Sequence, residues 1–139
     1  MDENQVVWSE KVAEKIIKNI EKRRMEGSYA ATVSQAKDEV IAMITPGASV
    51  FRCGTMTATY AGLWESIAQL PEVQLIDPYE PGIQPEEGLA RRRQGLTADF
   101  MIASSNAITL DGKLVNLDGM GNRVAAMAFG PKKVILMVG

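Results

Sequence analysis

Histidine is absent from the 139 residues, and cysteine occurs once, at Cys53. The first absence excludes a Ser-His-Asp or Cys-His catalytic set and any histidine-bound zinc built within the chain. The second excludes an intramolecular disulfide or a thiolate cluster, so no intrinsic zinc, iron–sulfur centre or other cofactor is expected. Scattered Asp and Glu carry no Mg²⁺ signature, although oxygen ligation stays open. No apolar run approaches the roughly 20 residues of a membrane span. The start, Met1-Asp2-Glu3-Asn4, lacks the basic-then-apolar order of a secretory signal. The expectation is a cytoplasmic protein. A basic excess is missing too: 15 Lys and Arg stand against 17 Asp and Glu, which argues against a nucleic-acid footprint. The one dense basic run, Arg91-Arg92-Arg93, follows Glu86-Glu87 in a helical pattern and reads as a solvated face.

What is present describes an ordinary globular chain. Hydrophobic residues make up 46% and charged residues 23%, enough for a core without staples in a single domain over residues 1–139. Val6, Val7, Val12, Ala13, Ile16, Ile17 and Ile20 recur at helical spacing and predict an amphipathic helix over residues 4–25, ended by Gly27. An α/β core over residues 28–139 follows. Tyr29 to Val33 reads as a short strand. Ser34 caps a helix with Ala36, Val40, Ile41 and Ile44 as its apolar face. Ala48 to Arg52 is a strand, Thr57 to Gln69 a helix and Val73 to Ile76 a strand. The proline-rich stretch from Asp77 to Pro85 is a loop, and a helix runs on to Leu96. Asp99 to Ser104 is a strand. Ile108 to Leu110 and Lys113 to Leu117 flank Asp111-Gly112, a strong hairpin signal. A helix from Asn122 to Phe129 ends at Gly130-Pro131, and Val134 to Val138 is an apolar strand of the kind buried on both faces. Alternating strands and helices predict an α/β fold: a mainly parallel sheet with flanking helices and an inserted β-hairpin. Because such a strand normally leads into more of the fold, a further C-terminal part is expected. The strand's open edge would suit a homodimer.

Ligands of open α/β sheets bind beyond the carboxyl ends of the strands. Two segments fit that place. In the first, Gly54, Thr55 and Thr57 follow a strand and open a helix, with N–H and O–H donors suited to an anion. The plainer reading makes Gly54 a turn residue and a threonine the cap. Cys53 beside them lacks any histidine to activate it and reads as a buried small apolar residue. In the second segment, the hairpin returns the chain from Asn106 to Asn116 and Asp118. Gly119 and Gly121 permit close backbone approach, and Asn122 is placed to cap the next helix. Arg123 in that helix's first turn is mildly unfavourable unless an anion compensates it. It either holds a carboxylate or phosphate in its fork, or pairs with Asp118 or Asp99 as a brace. Asp118 accordingly braces Arg123 or serves as a catalytic base.

Asn106-Ala107-Ile108-Thr109, Asp111-Gly112, Leu114-Val115-Asn116, Asp118-Gly119, Gly121-Asn122-Arg123-Val124-Ala125-Ala126 and Phe129-Gly130-Pro131-Lys132-Lys133-Val134 together resemble the signature of the LUD domain, the LutC/YkgG-like lactate-utilization family. A looser likeness extends upstream through Gly47 to Val50, Gly54 to Thr57 and Gly62-Leu63. It departs at Cys53 and Thr55, where the family pattern has Gly and Ser. The resemblance implies a fold of the NagB/RpiA/CoA-transferase group and a longer C-terminal portion. It also implies a link to lactate oxidation with iron–sulfur partner proteins. An accessory subunit binding a small carboxylate, another anion or such a partner is the first expectation. A stand-alone phosphosugar-isomerase or CoA-transferase-type enzyme, with Asp118 as its carboxylate, is the alternative. A third reading makes the Gly/Asn/Arg segment a structural corner without a ligand. Fold alone does not decide among them.

Overall fold

A computed structural model describes residues 3–139. The first helix, α1 (Glu3–Glu21), keeps Val12, Ala13, Ile16 and Ile17 half-buried and Ile20 buried, as their spacing requires. It stops short of residue 25 because Arg24 turns into the left-handed region (φ 62°). Gly27 then folds back onto the last turn, where a Cβ would lie 2.6 Å from Ile20 Cδ1. No strand forms at residues 29–33. Thr32 instead caps α2 (Val33–Met43), its hydroxyl accepting the Gln35 amide at 3.2 Å. The cap therefore falls on Thr32 and not on Ser34. A threonine oxygen offers this segment a local bond that competes with pairing to a strand.

Four strands make a parallel sheet in the order β2-β1-β3-β6: β1 (Ser49–Arg52), β2 (Gln74–Ile76), β3 (Phe100–Ala103) and β6 (Lys133–Leu136). Side chains alternate across it. Val50, Phe100, Ile102, Ile135 and Met137 join α2, α3 (Met56–Tyr60) and α4 (Leu63–Ala68) on one face. Phe51, Cys53, Ile76, Met101 and Ala103 pack on the other face with Leu96, Ala98 and the helix α6 (Asn122–Phe129). This is a three-layer α/β arrangement, whose parallel strands are covered on both sides. The helix expected over residues 57–69 is broken into α3 and α4. Gly62 adopts φ 64°, and the Trp64 indole donates to Thr59 Oγ1 at 3.0 Å across the break.

Helix α5 (Pro85–Gln94) runs into a 3₁₀ turn (Gly95–Thr97) that lies on β1. Gly95 is the contact: a Cβ there would sit 2.4 Å from Phe51 ring atoms. The Asp111-Gly112 turn forms as expected, joining β4 (Ala107–Ile108) to β5 (Leu114–Val115) in antiparallel register, with Gly112 at φ 81°. The turn docks on α1 through Asn19 Nδ2, which donates to the Leu110 carbonyl at 2.8 Å. β6 pairs only with β3 among the described residues. It is less enclosed than an apolar strand covered on both faces, since Val134 and Leu136 stay half-buried and Lys133 is exposed.

The strand order decides which strand ends lie side by side. From β1 the chain steps to β2 on one side, then crosses back so that β3 and β6 build outward on the other. The direction of winding reverses between β1 and β3. Connections leave the carboxyl ends of those two strands in opposite directions, the place where open α/β sheets bind their ligands.

Candidate functional site

The carboxyl ends of β1 and β3 carry both segments singled out from the sequence. The Cys53 amide donates to the Ile102 carbonyl at 3.0 Å, which continues the β1–β3 ladder into the loops. Cys53 is 1% exposed and packed in the core, as a small apolar residue would be. Burial pushes its thiol pKa up. The neighbouring Gly54 amide and the positive charge of Arg123 offset only part of that shift. Thr55 is buried and caps α3, its hydroxyl accepting the Ala58 amide at 3.3 Å. Thr57 is half-buried and lies near the end of the described chain, about 4 Å from where a Cβ of Gly139 would stand.

The second segment closes on Arg123. Its Nε donates to Asp118 Oδ1 at 2.9 Å, Nη1 to the Ser104 carbonyl at 3.0 Å, and Nη2 to Asn106 Oδ1 and the Leu117 carbonyl. Four of the five N–H bonds of the fork are thereby used. Asp118 Oδ2 accepts the Val124 amide at 2.7 Å, so this carboxylate also caps the start of α6 from outside the helix. It is the compensating anion that a first-turn arginine requires. The two side chains are 12% and 11% exposed. Burial alone would raise the Asp118 pKa, but the Val124 amide and the Arg123 guanidinium outweigh it, and the net shift is downward. The expected cap at Asn122 is not formed by that residue. Gly121 occupies the N-cap with φ 83°, and Asn122 is the first helical residue. Asn106 accepts the Leu117 amide at 3.0 Å, and Asn116 Oδ1 accepts the Ser105 hydroxyl at 2.8 Å. The hairpin thus brings its two polar ends together. A Cβ at Gly119 or Gly121 would meet no atom of the chain within 4 Å.

Asp99 lies at the opposite, amino end of β3 and does not reach Arg123. It accepts the Ser49 amide at 2.9 Å and the Lys132 ammonium at 2.7 Å. The bond from Lys132, followed by those from Ser49, holds its pKa down at about 2. Asp99 and Asp118 both have pKa values below the unfolded value of about 4. Their contributions are therefore complete above that pH and are lost as the pH falls through the folded values. Urea unfolding at pH 7, 4 and 2.5 is expected to show falling stability. Asp99→Asn should flatten the lower part of that curve; an unchanged slope would contradict the assignment.

Sequence reasoning missed Tyr79 and misread Arg92. The arginine run is not simply solvated, since Arg91 and Arg92 are half-buried. Arg91 donates to Glu87 and to the Asp77 carbonyl, each at 2.9 Å, and also pairs with Glu80. The guanidinium carbon of Arg92 stands 5.2 Å from the centre of the Tyr79 ring. That of Arg52 stands 5.4 Å from the same ring, and Arg52 pairs with Asp77 at 2.9 Å. Burial and the neighbouring Cys53 push the Tyr79 hydroxyl pKa up, and this hydroxyl stands 3.5 Å from where a Cβ of Gly54, just beyond β1, would lie. The available signal was a tyrosine just beyond a strand's carboxyl end, but the arginines that frame it lie in a different helix.

A parallel α/β sheet covered by helices on both faces defines the general class. Within it, the LUD domain model matches residues 13–139, and the chain belongs to the LUD domain family. No curated protein and no solved structure matches the chain significantly. No helix among the described residues is long and apolar enough to cross a membrane, and none of their carboxylates and thiols group as a metal site.

Proposed function

We propose that this chain is a cytoplasmic accessory subunit of lactate utilization that holds a small carboxylate or other anion in the crevice between β1 and β3. The reading is supported by the position of the two segments: Gly54, Thr55 and Thr57 follow the carboxyl end of β1, and Asn106, Asn116 and the Asp118-to-Arg123 corner follow that of the adjacent strand β3. Membership of the LUD family supports the link to lactate and to iron–sulfur partner proteins. The bonds of Asp118 favour its role as a brace. Both its oxygens are engaged and its pKa is lowered, the reverse of the tuning that a general base working near neutrality needs. Arg123 then shapes the corner and has one N–H left for a ligand, while Asn106, Asn116 and the open backbone at Gly119 and Gly121 form its floor. The NagB/RpiA/CoA-transferase likeness belongs to the same reading.

A thermal-shift panel with lactate, pyruvate, phosphate, a sugar phosphate and coenzyme A tests it. A ligand at a hundredfold excess over Kd stabilises by about 2.7 kcal/mol, and lactate or pyruvate should produce such a shift. A shift confined to sugar phosphate or coenzyme A, accompanied by turnover, would replace the accessory role with a stand-alone enzyme. No shift, and no association with iron–sulfur proteins of lactate oxidation, would sink the proposal.

A further inference from the structure

Each of the other arginines around the crevice has a carboxylate: Arg52 has Asp77, Arg91 has Glu80 and Glu87, and Arg123 has Asp118. Arg92 makes no ion pair among the described residues, yet it is half-buried. Stacking over the Tyr79 ring, 5.2 Å from its centre, holds the guanidinium in place. Stacking on a neutral ring does not neutralise it, and its charge stays available to an anion. Its charge is felt at Cys53, at the end of β1. The ground beside it is open. Gly54 is exposed, and among the described residues the Tyr79 hydroxyl is the sole non-adjacent group within 4 Å of where its Cβ would stand, at 3.5 Å. The Tyr79 hydroxyl at this place is a donor as well as an acceptor.

We infer that Arg92 and the Tyr79 hydroxyl together bind the anionic group, carboxylate or phosphate, of a small ligand lying over Gly54 at the carboxyl end of β1. This rests on the preceding proposal for the crevice and adds the residues that recognise the charge. An arginine fork with a neighbouring hydroxyl donor matches the two or three oxygens of such a group. The pairing also explains why two cations flank one ring: Arg52 is neutralised by Asp77 and orients Tyr79, and Arg92 is left to the ligand.

Isothermal titration calorimetry on the full chain, with pyruvate, lactate and inorganic phosphate, tests the inference in four proteins: the wild type, Arg92→Gln, Tyr79→Phe and Arg93→Gln. Losing a charged hydrogen bond should weaken binding about tenfold to a hundredfold in Arg92→Gln. Tyr79→Phe, which keeps the ring, should weaken it several-fold, and Arg93→Gln, at an exposed position of the same helix, should leave it unchanged. If Arg92→Gln does not fold, as judged by circular dichroism, Tyr79→Phe decides the question. Whether pyruvate and lactate or phosphate binds identifies the source of the anion. Binding undiminished in folded Arg92→Gln, or in Tyr79→Phe where it decides, would overturn this inference and leave the crevice reading intact. No binding of any of the three anions to the wild type would overturn the inference together with its small-anion premise.

Discussion

Replacing Arg123 by alanine is expected to lower the stability of the fold by about 3 kcal/mol, or roughly 10 °C in Tm. The loss comes less from the attraction removed than from what is left behind. Asp118 would keep its place at the start of α6, 11% exposed, with one oxygen on the Val124 amide and no cation beside it. The Ser104 and Leu117 carbonyls and the Asn106 amide oxygen would lose a donor together. Lysine should not restore the stability, because a single ammonium cannot reach these directions as a planar fork does. Urea melts of Arg123→Ala, Asp118→Ala and the double variant are the measurement. The double variant should cost less than the sum of the singles, since removing both charges leaves neither unpaired. Additive costs would show that the pair is not coupled, and the bracing role of Asp118 would fall with it.

Gly95→Ala is expected to cost about 2–3 kcal/mol, a large effect for one methyl group. The backbone gives no reason for it: Gly95 has φ −57° and ψ −25°, where alanine is comfortable. The reason is Phe51, which is fully buried and whose ring would lie 2.4 Å from the new Cβ. A ring enclosed by Cys53, Ile76 and Met101 in a close-packed layer has little room to withdraw. The penalty should therefore shrink in a Phe51→Leu background, where the smaller side chain yields space. Calorimetric melts of the two singles and the double variant would test this. A full, unrelieved penalty in that background would place the strain elsewhere.

Much of the architecture was legible along the chain because it is written in local patterns. The 3.6-residue spacing from Val12 to Ile20, the strand patterns at residues 49–52 and 100–103, and the Asp111-Gly112 turn each depend on nearby residues. The errors fell where two local rules competed. Thr32 became a helix cap where residues 29–33 resembled a strand, and Gly62 broke a helix whose apolar pattern continues through it.

The sequence by itself determined the α/β class, the hairpin that returns Asn106 beside Leu117, and the need of Arg123 for an anion close by. These follow from periodicity, turn chemistry and the sign of a helix terminus, all short-range along the chain. Only the tertiary structure decided that Asp118 meets that need and that Asp99 is committed to Ser49 and Lys132 at the far end of its strand. It alone decided that Arg92 comes to rest over Tyr79 without a carboxylate among the described residues. The physical reason is that a charge finds its partner through the strand order β2-β1-β3-β6, which brings together segments lying far apart in the chain. No residue spacing encodes that order directly. It is set by which apolar faces bury one another, and the pairing of charged groups follows from it.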